Sequence, residues 1–198
     1  ETGSGCSGPS PCPHGRCEAR ARRCIAGHPG FSRASPGGPP KVFPASGGAQ
    51  LIATGTLDGV TLNAAVTIPN SYSLTVKNGL VLNSVLTLTN TGNYTYLYFT
   101  GTQALTGTGQ VVFGGSYPYD TVQARGDGGS NPATLTIGPG ITIHGSQGGS
   151  ISGYYGSDTV INQGTIHEDT AGKIITVSAT TWSNTGVLKA SNGGTLSL

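Results

Sequence analysis

From residue 51 onward the chain alternates short apolar-polar-apolar triplets with polar breakers. Val60-Thr61-Leu62, Val66-Thr67-Ile68, Leu74-Thr75-Val76 and Leu86-Thr87-Leu88 share the pattern, and Leu135-Thr136-Ile137 and Ile141-Thr142-Ile143 repeat it further on. A period of two sends the aliphatic side chains to one face of a strand and the threonines to the other. Between the triplets stand Asn63, Pro69-Asn70, Asn78-Gly79, Asn83-Ser84 and Gly138-Pro139-Gly140. These residue types accept the backbone of sharp corners. The pattern predicts short strands with aliphatics inward, threonines toward solvent, and tight corners between them.

The pattern also recurs as a longer unit. Residues 59–68 read GVTLNAAVTI, and residues 79–88 read GLVLNSVLTL with the same residue types in the same places. Asn162-Gln163-Gly164-Thr165-Ile166 is matched by Asn184-Thr185-Gly186-Val187-Leu188 at a closely similar spacing. Repeats of this length belong to chains that coil, each turn stacking on the last. The expected fold is all-β, a parallel solenoid with two or three strands per turn whose backbone groups pair between turns. Asn63 and Asn83 fall at equivalent corners. They read either as a ladder of bonded amides along the axis or as turn formers alone.

Composition agrees with strands rather than helices: 34 glycines in 198 residues, no methionine, one tryptophan and 9% charged residues. A net charge of +2 gives no reason to expect nucleic acid or an acidic membrane as partner. No run approaches the roughly 18 apolar residues needed to span a bilayer.

The chain divides near residue 50 into a Cys/Pro-rich extended segment (1–50) and a solenoid domain (51–198). The first part carries Arg16, Arg20, Arg22, Arg23, Arg33 and Lys41 against Glu1 and Glu18. The second carries four basic and six acidic residues. No signal peptide opens the chain, which reads as a mature or recombinant form, with Glu1-Thr2-Gly3 as a cloning remnant. Cys6, Cys12, Cys17 and Cys24 are the only cysteines. Their clustering predicts two disulfides in an oxidising compartment, with three connectivities open. The competing reading is a zinc site from Cys12, His14, Cys17 and Cys24, whose spacing fits no common finger.

Two resemblances add to this. Pro13-His14-Gly15-Arg16-Cys17, followed by Cys24 and Gly27-His28-Pro29-Gly30-Phe31-Ser32, resembles part of an EGF-like module. That family has six cysteines, and Ala26 stands where a fifth would fall. Residues 51–198 resemble the repeats of bacterial surface and secreted proteins of the filamentous-haemagglutinin and autotransporter type. The phrase from Thr134 to Ile143, the motif Asn162-Gln163-Gly164-Thr165-Ile166 and the stretch Ala190–Leu198 carry this likeness. It implies a right-handed parallel β-helix and an extracellular or cell-surface location, and it specifies no activity.

Several features are candidates for function. Residues 114–131, GGSYPYDTVQARGDGGSN, break the rhythm and read as an insertion on the flank of the coil. Within it Arg125-Gly126-Asp127 spells a cell-attachment tripeptide, to be weighed against a solvated turn. Tyr94, Tyr96 and Tyr98 alternate and would share one strand face, where they could stack on sugars or a neighbouring protomer, or simply pack locally. Asn93-Tyr94-Thr95 is an N-glycosylation sequon.

An enzyme of the polysaccharidase kind would draw on Asp58, Asp120, Asp127, Asp158, Glu168 and Asp169. His144 and His167, separated by close to one repeat, would then stack on one face as acid-base groups beside Glu168 and Asp169. The plainer reading makes all of these exposed polar positions. Ordered threonine ranks for ice binding are not supported, since the Thr-x-Thr pairs are irregularly spaced. No catalytic group, metal or cofactor is assigned. The sequence reads as an extracellular structural solenoid, a self-associating fibre or surface-layer subunit stacking end to end through a C-terminal rung that carries no cap. The alternatives are an adhesin binding a glycan or cell-surface receptor, and then a polysaccharide-active enzyme.

Overall fold

The computed structural model describes residues 40–42 and 51–198. The four cysteines lie outside the described residues, and with them the disulfide, zinc and EGF-like readings. Among the described residues there are nineteen strands and no helix. β1 (Lys41–Val42) lies beside the start of the coil. The first turn holds β2 (Leu51–Ile52) and β3 (Gly55–Leu62), and the second holds β4 (Val66–Pro69) and β5 (Ser73–Leu82). The third contains β6 (Val85–Asn90), β7 (Thr95–Thr100) and β8 (Gln103–Gly107). The fourth contains β9 (Gln110–Gly115), β10 (Asp120–Arg125) and β11 (Thr134–Ile137), and the fifth β12 (Thr142–Gly145), β13 (Gly149–Gly153) and β14 (Thr159–Asn162). The sixth contains β15 (Thr165–Glu168), β16 (Ile174–Val177) and β17 (Thr181–Asn184), and the last β18 (Val187–Ala190) and β19 (Thr195–Ser197).

Every strand pairing is parallel. Each strand bonds to its counterpart one turn before and one turn after, so the chain winds as a solenoid with three faces. The first face is the seven-stranded sheet β18-β15-β12-β9-β6-β4-β2. The second runs through β7, β10, β13, β16 and β19, and the third through β8, β11, β14 and β17. The long strands β3 and β5 bend between these two faces: the first half of β5 pairs with β7 and the second half with β8. Asn78 (φ 55°) and Gly79 (φ 84°) make the bend in β5, and Gly59 (φ 57°) makes it in β3, all in the left-handed region that asparagine and glycine tolerate.

In-register stacking turns the period-two pattern into columns. Val66, Leu86, Val111, Ile143 and Ile166 form one inward column on the first face, and Leu74, Leu97, Val122, Ile151 and Val177 form another on the second. All ten are buried. At about 1.5–3 kcal/mol for each fully buried aliphatic, these columns are the main source of stability. The column on the third face runs Leu80, Leu105, Ile137 and then Asn162. Asn162 is buried but satisfied: its amide donates to Asn184 Oδ1 at 2.6 Å and to the Gly164 carbonyl at 3.3 Å. Asn83 Nδ2 donates to Asn63 Oδ1 at 3.0 Å. Of the two readings of these repeated asparagines, the amide ladder is the one found.

Two expectations need correction. The alternation turns Thr61 toward solvent, yet it is buried. β1 pairs beside it with Lys41 in register, and its amide donates to the Pro40 carbonyl at 2.9 Å. The stretch 114–131 is not one insertion. Asp120–Arg125 forms the regular strand β10, paired with both β7 and β13, because Val122 and Ala124 supply inward apolar positions among polar neighbours. Residues 116–119 form a corner before it, and the longer departure from the ladder follows Arg125. That departure is the larger part of the reason that the step from Val111 to its register partner Ile143 is more than half as long again as the step from Val66 to Leu86.

Truncating the inward column in mid-coil should cost far more than removing an outward hydroxyl. Leu97→Ala is expected to lower stability by ~2–5 kcal/mol, and Thr75→Ala, half-buried on the outer side, by less than about 1 kcal/mol. Urea denaturation of the two variants checks the difference.

Candidate functional site

The second face carries the chemistry that distinguishes this coil. All eight tyrosines of the chain lie on its strands or at the corners that enter and leave it. Tyr96 and Tyr98 alternate with the buried Leu97 and Phe99 on β7, so the strand period itself turns both phenols outward. Tyr94 precedes the strand, Tyr117 and Tyr119 lie in the corner before β10, and Tyr154 and Tyr155 follow β13. Tyr72 sits at the entry to β5.

These rings touch one another. Tyr94 and Tyr96 stack with centroids 5.8 Å apart, and Tyr96 and Tyr98 at 4.9 Å. Tyr119 lies 5.0 Å from Tyr94 and 5.7 Å from Tyr117. At the other end the Arg125 guanidinium sits between two rings, 4.8 Å from the Tyr98 centroid and 4.2 Å from that of Tyr154. Tyr155 closes the row edge-on against Tyr154 at 4.6 Å. The result is a ridge running along β7, held by stacking and by two cation–π contacts, each worth roughly 0.5–2 kcal/mol. Burial raises the Tyr96 and Tyr98 phenols above the usual tyrosine range; the neighbouring phenols add to this and Arg125 opposes it. Both therefore stay neutral, as donors and acceptors of hydrogen bonds.

Asp158 fixes the end of the ridge. Its buried carboxylate accepts hydrogen bonds from the amides of Gly126 (3.1 Å), Ala133 (2.7 Å) and Tyr155 (2.9 Å). One side chain thus ties together both ends of the excursion after Arg125 and the corner bearing Tyr154 and Tyr155. Gly128 (φ 76°) packs so closely on the Tyr155 ring that a side-chain carbon would stand 2.6 Å from it. In the sequence Asp158 is one carboxylate among six. Its neighbours Gly156 and Ser157 look like an ordinary turn, and nothing local marks it as the anchor.

The cell-attachment tripeptide is engaged at each residue. Arg125 is held between rings, and the Gly126 amide is bonded to Asp158. Asp127 is exposed and accepts from the amides of Gly129 (2.9 Å) and Asn131 (3.1 Å) and from Asn131 Nδ2 (2.7 Å). The Asn131 side chain and these amides hold its carboxyl below the usual range. It serves its own turn.

His144 and His167 are register partners on β12 and β15, so the expected stacking on one face is found. Their nitrogens are directed elsewhere: His144 Nε2 meets Gln110 Oε1 at 3.0 Å and His167 Nε2 meets Ser191 Oγ at 2.7 Å. Glu168, next in sequence, points into the core and is fully buried, on the opposite side of the strand from His167. The hydrogen bonds of His144 and His167 thus go to Gln110 and Ser191, and that of Glu168 to the Thr170 amide, so none joins a histidine to Glu168.

Three of the six carboxylates are interior, which corrects the plain reading of them as exposed. Asp158 is satisfied. Glu168 accepts one bond from the Thr170 amide at 2.9 Å and leaves its second oxygen unpaired, and burial raises its carboxyl. Asp120 is the extreme case: it is fully buried and neither oxygen makes a hydrogen bond. Burial pushes its carboxyl up to about 7, while the Asn90 side chain and the Gly114 and Asn90 amides, near it but outside hydrogen-bonding geometry, pull the other way. Among the described residues no group of three or more potential metal ligands comes together. A groove of about 480 Å³ on the third face, lined by Gly59, Gly79, Leu80 and Gln103 among others, marks the glycine bends of β3 and β5.

No protein-family model, curated protein or solved structure matches this chain.

Two outcomes are expected from these carboxylates. The folded state holds the Asp120 proton to about pH 7, while the unfolded chain releases it near the ordinary 3.8. Its contribution to stability is therefore fully present below about pH 4 and is lost as pH rises toward and through 7. In denaturation series across this range, Asp120→Asn should gain stability relative to the parent as pH increases and level off above about 7. Asp158→Ala leaves three amides without their acceptor and should cost at least ~2 kcal/mol. Near-UV dichroism should report loss of the Arg125–Tyr154 stack in that variant.

Proposed function

We propose that the chain is a right-handed parallel β-helix that serves as an extracellular structural solenoid, associating end to end with its own kind. The observation that carries this reading is the parallel ladder on all three faces, in register from β4 to β18 on the first and shifted at the β3 bend between Asp58 and Val60. Such a coil is stiff, its dry aliphatic core runs the length of the axis, and its properties add turn by turn. Right-handedness follows from the general hand of crossovers between parallel strands. The backbone groups of β17, β18 and β19 form the template that any further turn would pair with, whether it belongs to a continuing polypeptide or to a second copy. The N-terminal cysteines are proposed to form two disulfides, in keeping with an oxidising, extracellular setting.

An adhesive role on the same scaffold is the second reading, favoured by the aromatic ridge. Catalysis ranks third, because His144, His167, Asp127 and Asp158 are each engaged in structural hydrogen bonds.

Negative-stain microscopy and sedimentation velocity over a rising concentration series test the structural reading. Rods that keep a constant width and lengthen with concentration are expected. Monodisperse single-chain particles throughout would remove end-to-end association and leave a solenoid of another use.

A further inference from the structure

Strand propensity explains why tyrosine occurs in a β coil, but it gives no reason for two of the eight to stand on the second face and the other six to gather in the corners that border it. The surroundings of the ridge are equally selective. Above and below Tyr96 the outward row reads Ser73, Thr121, Ser150 and Thr176. Around Tyr98 the row reads Thr56, Thr75, Gln123 and Ser152. No charged side chain occurs in either row. Cross-strand bonds join these groups, Thr121 to Ser150 at 3.0 Å and Gln123 to Ser152 at 3.1 Å. Thr121 and Ser152 are themselves buried and hold their partners in place, so Ser73, Thr75, Gln123, Ser150 and Thr176 are the groups that reach the surface beside the ridge. Charge enters at the margin, with Arg125 between its two rings, Asp58 register-paired with Lys77 at the bend, and Lys173 at the entry corner beside Ser116 and Pro118.

We propose that this face binds a neutral, hydroxyl-rich polysaccharide chain laid along the ridge from Tyr117 to Tyr155. A sugar ring has apolar C–H surfaces and an equatorial rim of donors and acceptors. The ridge offers the first a row of aromatic carbon, and the flanking rows offer the second uncharged hydrogen-bonding groups of both polarities. Tyr94, Tyr117 and Tyr154 remain about half exposed, at 58%, 47% and 49%, so contact area is open where a chain would enter and leave. Stacking between rings fixes their rotamers in advance, which lowers the ordering cost of binding.

The charge pattern chooses among occupants. A polyanion or a single-stranded nucleic acid would call for a basic groove beside the rings, and here the one nearby guanidinium is spent on Tyr98 and Tyr154. A protein partner would favour an apolar pocket at the centre of the patch. Here the centre is the outward Tyr96–Tyr98 stack, and its flanking rows are hydroxylic. Binding along the ridge does not depend on end-to-end association and stands or falls separately from it.

Affinity electrophoresis of the full chain tests it, in native gels cast with hydroxyethyl cellulose, xyloglucan, galactomannan or glycogen, with alginate, polygalacturonate and single-stranded DNA for contrast. Retardation by at least one of the four neutral polymers is expected, persisting at ~0.3 M salt because surface charge plays no part. The triple variant Tyr94→Ser/Tyr117→Ser/Tyr154→Ser, altered only at exposed positions, should stay folded though melting somewhat below the parent for want of its ring contacts, and should bind that polymer at least about tenfold more weakly under conditions where both are fully folded. No retardation by any of the four neutral polymers, or equal retardation of the variant, would overturn the proposal. So would retardation by the anionic polymers or DNA alone that salt abolishes. A variant that differs from the parent only in its own sedimentation would instead assign the ridge to contact between copies.

Discussion

Parallel backbone pairing between successive turns is the constraint on which the rest of this structure depends. A strand in this coil has only its counterparts one turn away to satisfy its amides and carbonyls. Pairing in register then places every side chain above another from the same position in the repeat. Aliphatic inward positions become the buried columns from Val66 to Ile166 and from Leu74 to Val177. Corner asparagines become bonded pairs, Asn63 with Asn83 and Asn162 with Asn184. Outward positions become rows, and a row whose members agree in chemistry becomes a surface.

That logic also accounts for the departures. Where a turn lengthens, the extra residues must leave the ladder and be fastened from outside it. The excursion after Arg125 is fastened by Asp158, reaching across from the following turn to the amides of Gly126 and Ala133. The same carboxylate takes the Tyr155 amide, so the loop and the end of the aromatic ridge share one anchor. Asp120 shows the opposite outcome. It begins β10 in register with Thr95 and Gly149, and its position in the ladder takes the carboxyl into the interior without a partner. Register decides burial here, and the side chain accommodates by holding its proton.

Much of this was legible in the sequence, for a physical reason. The period of two and the longer repeat linking residues 59–68 to 79–88 are local signals, and both survive into the structure at Leu74-Thr75-Val76 and between Val66 and Leu86. The facing of His144 toward His167 could be read from their spacing because the first face keeps nearly constant turn lengths there. β10 was obscured because Asp120, Gln123 and Arg125 mask an alternation carried by only Val122 and Ala124. The segregation of tyrosines was invisible for another reason. Tyr117 and Tyr154 join Tyr94, Tyr96 and Tyr98 only after three faces are folded from one line, and sequence spacing alone does not assign a residue to a face. Burial of Asp120 escaped notice similarly, since an aspartate after Ser-Tyr-Pro-Tyr reads as part of a turn.

The coil is defined by the register of the first face, where Thr67, Thr87, Val112, His144, His167 and Lys189 follow one another outward along the axis. Spin labels attached through a keto amino acid at positions 67 and 189, leaving the cysteines untouched, measure that register by double electron–electron resonance. Five ladder steps of ~4.8 Å place the two sites about 24 Å apart, and a single narrow distribution near that distance is the result the coil requires. A broad distribution, or a peak far beyond that distance, would mean that the turns do not stack in this register, and the columns and the aromatic face would fall with it.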